Sequence, residues 1–143
     1  MTVNQLSVFI ENKSGKLVKV LNLLKEAQIQ IVATTIADTI DYGICRIICN
    51  NPDRAYNILQ QNSVSVACSE AFALQLDNTP GAAADAIQTL ADAGIGITYL
   101  YSFQLDGKGV LLFRTDDAEK TRSVIQQHQL NTVNNQQLTQ MMK

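Results

Sequence analysis

Two short stretches hold the residue types best suited to gripping a small charged molecule. Asn12-Lys13-Ser14-Gly15 and Asn78-Thr79-Pro80-Gly81 each join an alternating apolar run to an amphipathic one. Such a turn feeds directly into a helix, whose first backbone amides lack intrahelical partners and lie at the positive end of the helix dipole. A carboxylate has the size and charge to rest there. Glycine, having no Cβ, lets a ligand approach the backbone. An asparagine side chain can accept from an ammonium or donate to a carboxylate. The same residues also have a purely structural reading: Thr79-Pro80 is an N-cap followed by proline at the first helical position, and Ser14 is explained in the same way.

The two turns are copies of each other. Gly15 and Gly81 stand 66 residues apart, and Leu24, Ala27, Ile29 and Ile31 recur at the same shift as Leu90, Ala93, Ile95 and Ile97. Gly43 meets Gly109 without a gap. A period of this length marks two copies of one folding unit, here placed at 1–68 and 69–143, the second ending in a short polar tail. A unit of about 65 residues buries only ~60% of the surface its unfolded chain exposes, so each is marginal alone.

The elements that must position the turns follow from periodicity. Leu6, Val8 and Ile10 alternate with Ser7, Phe9 and Glu11, and Phe72, Leu74 and Leu76 repeat that strand pattern. Leu17, Val20, Leu21 and Leu24 form one helical face, matched by Ala83, Ala86, Ile87 and Leu90. The second copy ends this helix at Gly94, a left-handed cap position that the first copy fills with Gln28. Second strands are expected over 29–39 and 95–105, turns at Asp41-Tyr42-Gly43 and Asp106-Gly107-Lys108-Gly109, and third strands over 44–49 and 110–114. Asn51-Pro52-Asp53 and Asp116-Asp117 open second helices, and Val64, Val66 and Cys68 make a fourth strand. The order is βαββαβ, twice. The fold class is therefore α+β, two tandem ferredoxin-like units with antiparallel sheets. Residues 134–143 either fray or add a loosely held element.

Composition narrows the function classes. The chain of 143 residues is 46% hydrophobic with a formal net charge of −2, and the absence of a basic stripe argues against nucleic acid as a partner. No apolar run is long enough to span a membrane, and no signal-peptide pattern opens the chain, so a cytoplasmic location is expected. The three cysteines read as small buried hydrophobes rather than disulfide or metal ligands, and the single His128 as a surface residue at a helix end. No nucleophile–base pair, metal triad or phosphate loop appears, so the chain reads as non-catalytic and free of cofactors.

The pattern strand, Asn-x-x-Gly, helix, then x-Ile-x-Ile strand, in a tandem βαββαβ unit, resembles the ACT domain. Asn12 to Leu17 and Ala27-Gln28-Ile29-Gln30-Ile31 carry the resemblance in the first copy, Asn78 to Gly81 and Ala93-Gly94-Ile95-Gly96-Ile97 in the second. It implies a regulatory module that binds a small ligand, most often an amino acid, where ACT copies meet, with homodimerisation and a partner enzyme. The loop positions it implies are Asn12, Ser14, Gly15 and Lys16, then Asn78, Pro80, Gly81 and Ala82. The second strands would add Thr35, Ala37 and Asp38, then Tyr99, Tyr101 and Ser102. This sequence departs from the family pattern in carrying Asn for the common loop Asp in both copies, Ser14 for Pro in the first, and Ala83 for Leu in the second. Tyr99 and Tyr101 share a strand face with Phe103 and read first as packed side chains with hydroxyls at the rim, and only second as a ligand wall. The rival to a sensing role is a structural or interaction subunit that binds no ligand.

Overall fold

The computed structural model describes residues 1–11, 13–38 and 42–143, with the side chain of Asp38 also outside the description. Asn12 and Asp41 thus lie outside the described residues. In chain order the elements are β1 (Thr2–Glu11), α1 (Lys16–Glu26), β2 (Ile31–Asp38), β3 (Tyr42–Cys49), α2 (Pro52–Gln61), β4 (Ser65–Leu76), α3 (Ala82–Asp92), β5 (Ile97–Leu105), β6 (Lys108–Thr115), α4 (Ala118–Gln127) and α5 (Asn135–Met141). They make an α+β chain of two compact units. One comprises Asn4–Glu70, called the first unit below. The second comprises Ala71–Lys143 together with Met1–Val3.

In the first unit β3 pairs antiparallel with β1 and β2, Leu6 lying opposite Ile47 and Thr35 opposite Arg46. Alternation sends Leu6, Val8, Cys45, Ile47 and Cys49 into one core with Val20 and Leu24 of α1 and Ala55 and Leu59 of α2. In the second unit β6 pairs antiparallel with β4 and β5. Its core gathers Phe72, Leu74, Leu111 and Phe113 from the strands, Ala86 and Leu90 from α3, and Val124 and Ile125 from α4. Phe72 and Phe113 are cross-strand partners, with ring centroids stacked at 5.7 Å.

The closing strand of the second unit differs from the sequence expectation. It is reduced to one bridge, Leu74 with Thr132, flanked by Gln75 N–H donating to Asn131 and Val133 N–H donating to Ala73. The cause lies just beyond. Asn134 and Gln137 form a reciprocal capping box, which satisfies orphan amides and starts α5 where the first copy continues as strand. Residues 134–143 therefore hold a short helix anchored by buried Leu138.

One irregularity decides where the second-strand candidates point. β2 is bulged between Ile31 and Ala33, and β5 at the equivalent place between Ile97 and Tyr99. A bulge inserts one residue and reverses the alternation of faces. Ile31 and Ile97 pack on the helix-covered cores. Beyond the bulge Tyr99 and Tyr101 stand opposite Arg114 and Leu112, and Thr35 and Ala37 opposite Arg46 and Ile44. Those partners alternate with the core-facing residues of β3 and β6. Tyr99, Tyr101, Thr35 and Ala37 accordingly lie on the sheet face turned away from the helices.

Candidate ligand site

Both glycine turns close in the same way. Lys16 N–H donates to the Lys13 carbonyl and Ala82 N–H to the Thr79 carbonyl, each at 3.3 Å. Gly15 (φ 85°, ψ −12°) and Gly81 (φ 87°, ψ −5°) hold the left-handed conformation of the third residue in a type II turn. That φ is what requires glycine. A Cβ built at either position meets nothing within 4 Å, so space around the turn is open.

This geometry corrects the capping assignment. Gly81, not Thr79, is the N-cap of α3, and Pro80 precedes it in the turn, so proline is not at the first helical position. Gly15 likewise caps α1, and among the described residues neither helix has a side-chain cap hydrogen bond. The other three helices are covered. Asn51 accepts from Arg54 N–H, Asp117 from Lys120 N–H and Asn134 from Gln137 N–H. In α1 and α3 the turn carbonyls of Lys13 and Thr79 take the first amide, and the amides that follow it in the first turn have no side-chain cap among the described residues.

Of the loop candidates, Ser14, Gly15, Lys16, Asn78, Pro80 and Gly81 are exposed, and Ala82 is half-buried. Asn78, Thr79 and Ala82 line a cavity of about 300 Å³ with Ser102 and Gln104 of β5. Ala83 lines it too; a leucine there, as Leu17 is in the first copy, would take up part of this volume. Ser102 therefore comes together with Asn78 within one unit. Tyr99 and Tyr101, half-buried on the opposite face of β5, do not join them. In the first unit the backbone of Asp38 pairs with Gly43 at the end of β2.

Each unit has a further cavity on the other flank of its first helix, which sequence reasoning missed. The first, about 340 Å³, is lined by Phe9, Lys16, Lys19, Val20, Tyr42 and Asn62 among others. Its repeat counterpart, about 330 Å³, is lined by Gln75, Asp77, Ala82, Asp85, Ala86 and Gln129. The signal was available in the 66-residue alignment, which sets Lys19 against Asp85. Ser63 and Gln129, the left-handed residues that follow α2 and α4 (φ 60° and 52°), border these two cavities.

The cysteines are chemically quiet. Burial pushes the thiols of Cys45 and Cys49 above their ordinary range, and Cys45 Sγ lies 3.3 Å from Thr34 Oγ1. Cys68 departs from the expected burial, being exposed, yet local desolvation and then Asp53 raise its pKa as well. High pKa values keep all three as weakly nucleophilic thiols at neutral pH. Among the described residues no group of three or more His, Cys, Asp or Glu is placed to hold a metal. His128 is the exposed C-cap of α4.

The family comparison matches the ACT domain pair across residues 1–142. The chain belongs to the ACT domain family. A solved protein from Bacteroides thetaiotaomicron is 32% identical, with 97% of this chain and 96% of that one covered and a TM-score of 0.90. The regulatory subunit of aspartate kinase from Thermus thermophilus shares the fold at 16% identity and TM-score 0.61, with 88% and 91% covered. That from Thermus flavus does so at 16% and 0.56, with 87% and 90% covered. No curated protein matches the chain. ACT domains are regulatory modules rather than catalysts, and among the described residues of this ACT pair no helix is long and apolar enough to cross a membrane.

Proposed function

We propose that this ACT pair is a non-catalytic cytoplasmic sensor that binds a free amino acid at its glycine turns and regulates a partner enzyme. The observation that carries the reading is the selective absence of side-chain caps. In each of the three helices away from the glycine turns a side chain caps a first-turn amide. Among the described residues α1 and α3 have no such side chain, and only their first amide is held, by a turn carbonyl. A ligand carboxylate on the Gly15 or Gly81 turn would complete the amides that follow it in the favourable field of the helix dipole. Its ammonium would meet the side-chain oxygen of Asn12 or Asn78, with Ser14, Lys16, Pro80 and Ala82 shaping the approach. In the second unit the cavity beside Asn78 and Ser102 has room for a small side chain. Tyr99 and Tyr101 face away from that cavity. They suit a site completed by a second chain, as does Asp38 at the end of β2, and a homodimer is the simplest assembly that supplies one.

Titration calorimetry with each natural amino acid tests the proposal. One of them should bind, and Asn12→Ala or Asn78→Ala should weaken it by roughly tenfold to a hundredfold, the worth of one charge-assisted hydrogen bond of ~1.5–3 kcal/mol. Binding unchanged in both folded variants would remove the asparagines from the site, and no binding by any amino acid would leave a structural subunit.

A further inference from the structure

We infer that the cavity beside α1 in the first unit is a separate binding site, for a small carboxylate with an apolar tail, and that the equivalent cavity beside α3 is not. Helices α2, α3 and α4 each carry an acidic residue in the first turn, Asp53, Asp85 and Glu119, which suits the positive end of a helix dipole. Helix α1 has none, and instead brings Lys16 and Lys19 to that end. Both lysines line the cavity. Neither makes an ion pair among the described residues, because the nearby Glu11 carboxylate is engaged at 3.4 Å by Lys13. Two cations and a dipole end thus converge on a cavity whose one carboxylate among the described residues, Glu11, is already paired with Lys13.

The walls supply the second, independent observation. Phe9 and Tyr42, each 45% exposed, are two of the large hydrophobic side chains this chain leaves in water. They stand as a tilted pair at 6.3 Å, and both line the cavity, with Ile10 and Val20 deeper. An apolar tail laid on them would remove that surface from water while the carboxylate reached the lysines. A zwitterion fits less well, since its ammonium would face the same two cations. The inference therefore does not rest on the amino-acid reading of the glycine turns. In the counterpart cavity Asp77 and Asp85 replace Glu11 and Lys19, Ala82 replaces Lys16, and Gln75 replaces Phe9. That site repels a carboxylate and has no aromatic pair.

The test is a titration of the full chain with isocaproate, and with uncharged isocaproamide as control, followed by heteronuclear amide spectra. Isocaproate should shift the amides of Lys19, Val20, Asn62 and Ser63, and isocaproamide should not. The shifts should weaken as salt rises toward the molar range, because exposed charges are screened. Lys19→Asp, which installs the residue type found at the repeat position, should reduce affinity by about tenfold. Lys19 is exposed on the helix surface, so the variant is expected to fold, and its dispersed spectrum verifies this. Absence of binding, equal binding of acid and amide, or unchanged affinity in folded Lys19→Asp overturns the inference. So do shifts confined to Asn78 and Gly81, an outcome that would support the amino-acid site while removing this one.

Discussion

Lys16, Leu17 and Lys19 of the first unit stand where Ala82, Ala83 and Asp85 stand in the second, yet the backbone beneath them is nearly the same. The glycine turns agree within a few degrees in φ and ψ, both helices lack side-chain caps among the described residues, and both second strands bulge one residue after the matching isoleucine. What the repeat preserves is the route of the chain from strand to helix. What it varies is the set of side chains on either flank of that helix. In the first unit the cavity beside α1 is lined by two lysines, Phe9 and Tyr42, while in the second a cavity on the other flank is lined by Ala82 and Ala83. On the proposed function, a turn that presents backbone amides would fix where an anion is received, and the flanking residues would decide which anion it is.

The cores beneath the two helices offer the largest lever on this comparison. Leu24 and Leu90 are repeat equivalents and both fully buried, but α1 also buries Val20 where α3 buries only Ala86. Leu24→Ala and Leu90→Ala should each destabilise by about 2–5 kcal/mol in chemical denaturation, through lost transfer energy and the cavity left behind. Leu90→Ala should lie at the higher end, because α3 then keeps no large buried anchor. A smaller loss from Leu90→Ala than from Leu24→Ala would mean that alanine packing holds α3 closer to its sheet than this reading requires.

Much of this arrangement was legible in residue spacing. The 66-residue repeat, the alternating strands and the helical faces located every core cluster, because burial imposes a period the chain must obey. The bulges were not legible. Ile97, Tyr99, Tyr101 and Phe103 alternate without interruption, so nothing in the pattern shows that Ile97 joins the core while the tyrosines turn to the opposite face. The turns were only half legible. Thr79-Pro80 has the composition of a helix start, but Pro80-Gly81 also suits the middle of a type II turn, and the turn prevailed. The closing strand failed for a local reason, since Asn134 and Gln137 favour a capping box over continued pairing.

The glycine turns permit a finer test, because their Cβ positions are open. Gly15→Ala and Gly81→Ala should each destabilise by about 1 kcal/mol, the left-handed penalty of ~1–2 kcal/mol less what alanine recovers by restricting the unfolded chain. Equal costs in thermal denaturation are expected, since no neighbouring atom adds a clash at either site. Gly81→Asn should cost less than Gly81→Ala, because asparagine tolerates this region better. Unequal costs for the two alanine variants would show that the turns are less alike than their dihedral angles.

The smallest effect concerns the far ends of the same helices, where the two copies differ in residue type but not in backbone. Gln28 has φ 59° and its repeat counterpart Gly94 has φ 76°. Both follow the last helical turn, with Gln28 N–H donating to Lys25 and Gly94 N–H donating to Ala91, each at 2.9 Å. The first copy therefore carries a left-handed penalty that the second avoids. Gln28→Gly should remove ~1–2 kcal/mol of it, offset by ~0.4–1 kcal/mol of added freedom in the unfolded chain, for a net gain of about 0.5–1 kcal/mol. Gly94→Gln should lose a similar amount. A Cβ at Gly94 meets only Lys120 Nζ, at 3.6 Å, which is ordinary contact, so the loss would come from backbone conformation and not from crowding. Reversible thermal denaturation of the two variants should give shifts of opposite sign. Two losses would mean that the Gln28 side chain stabilises the first copy by more than its backbone costs.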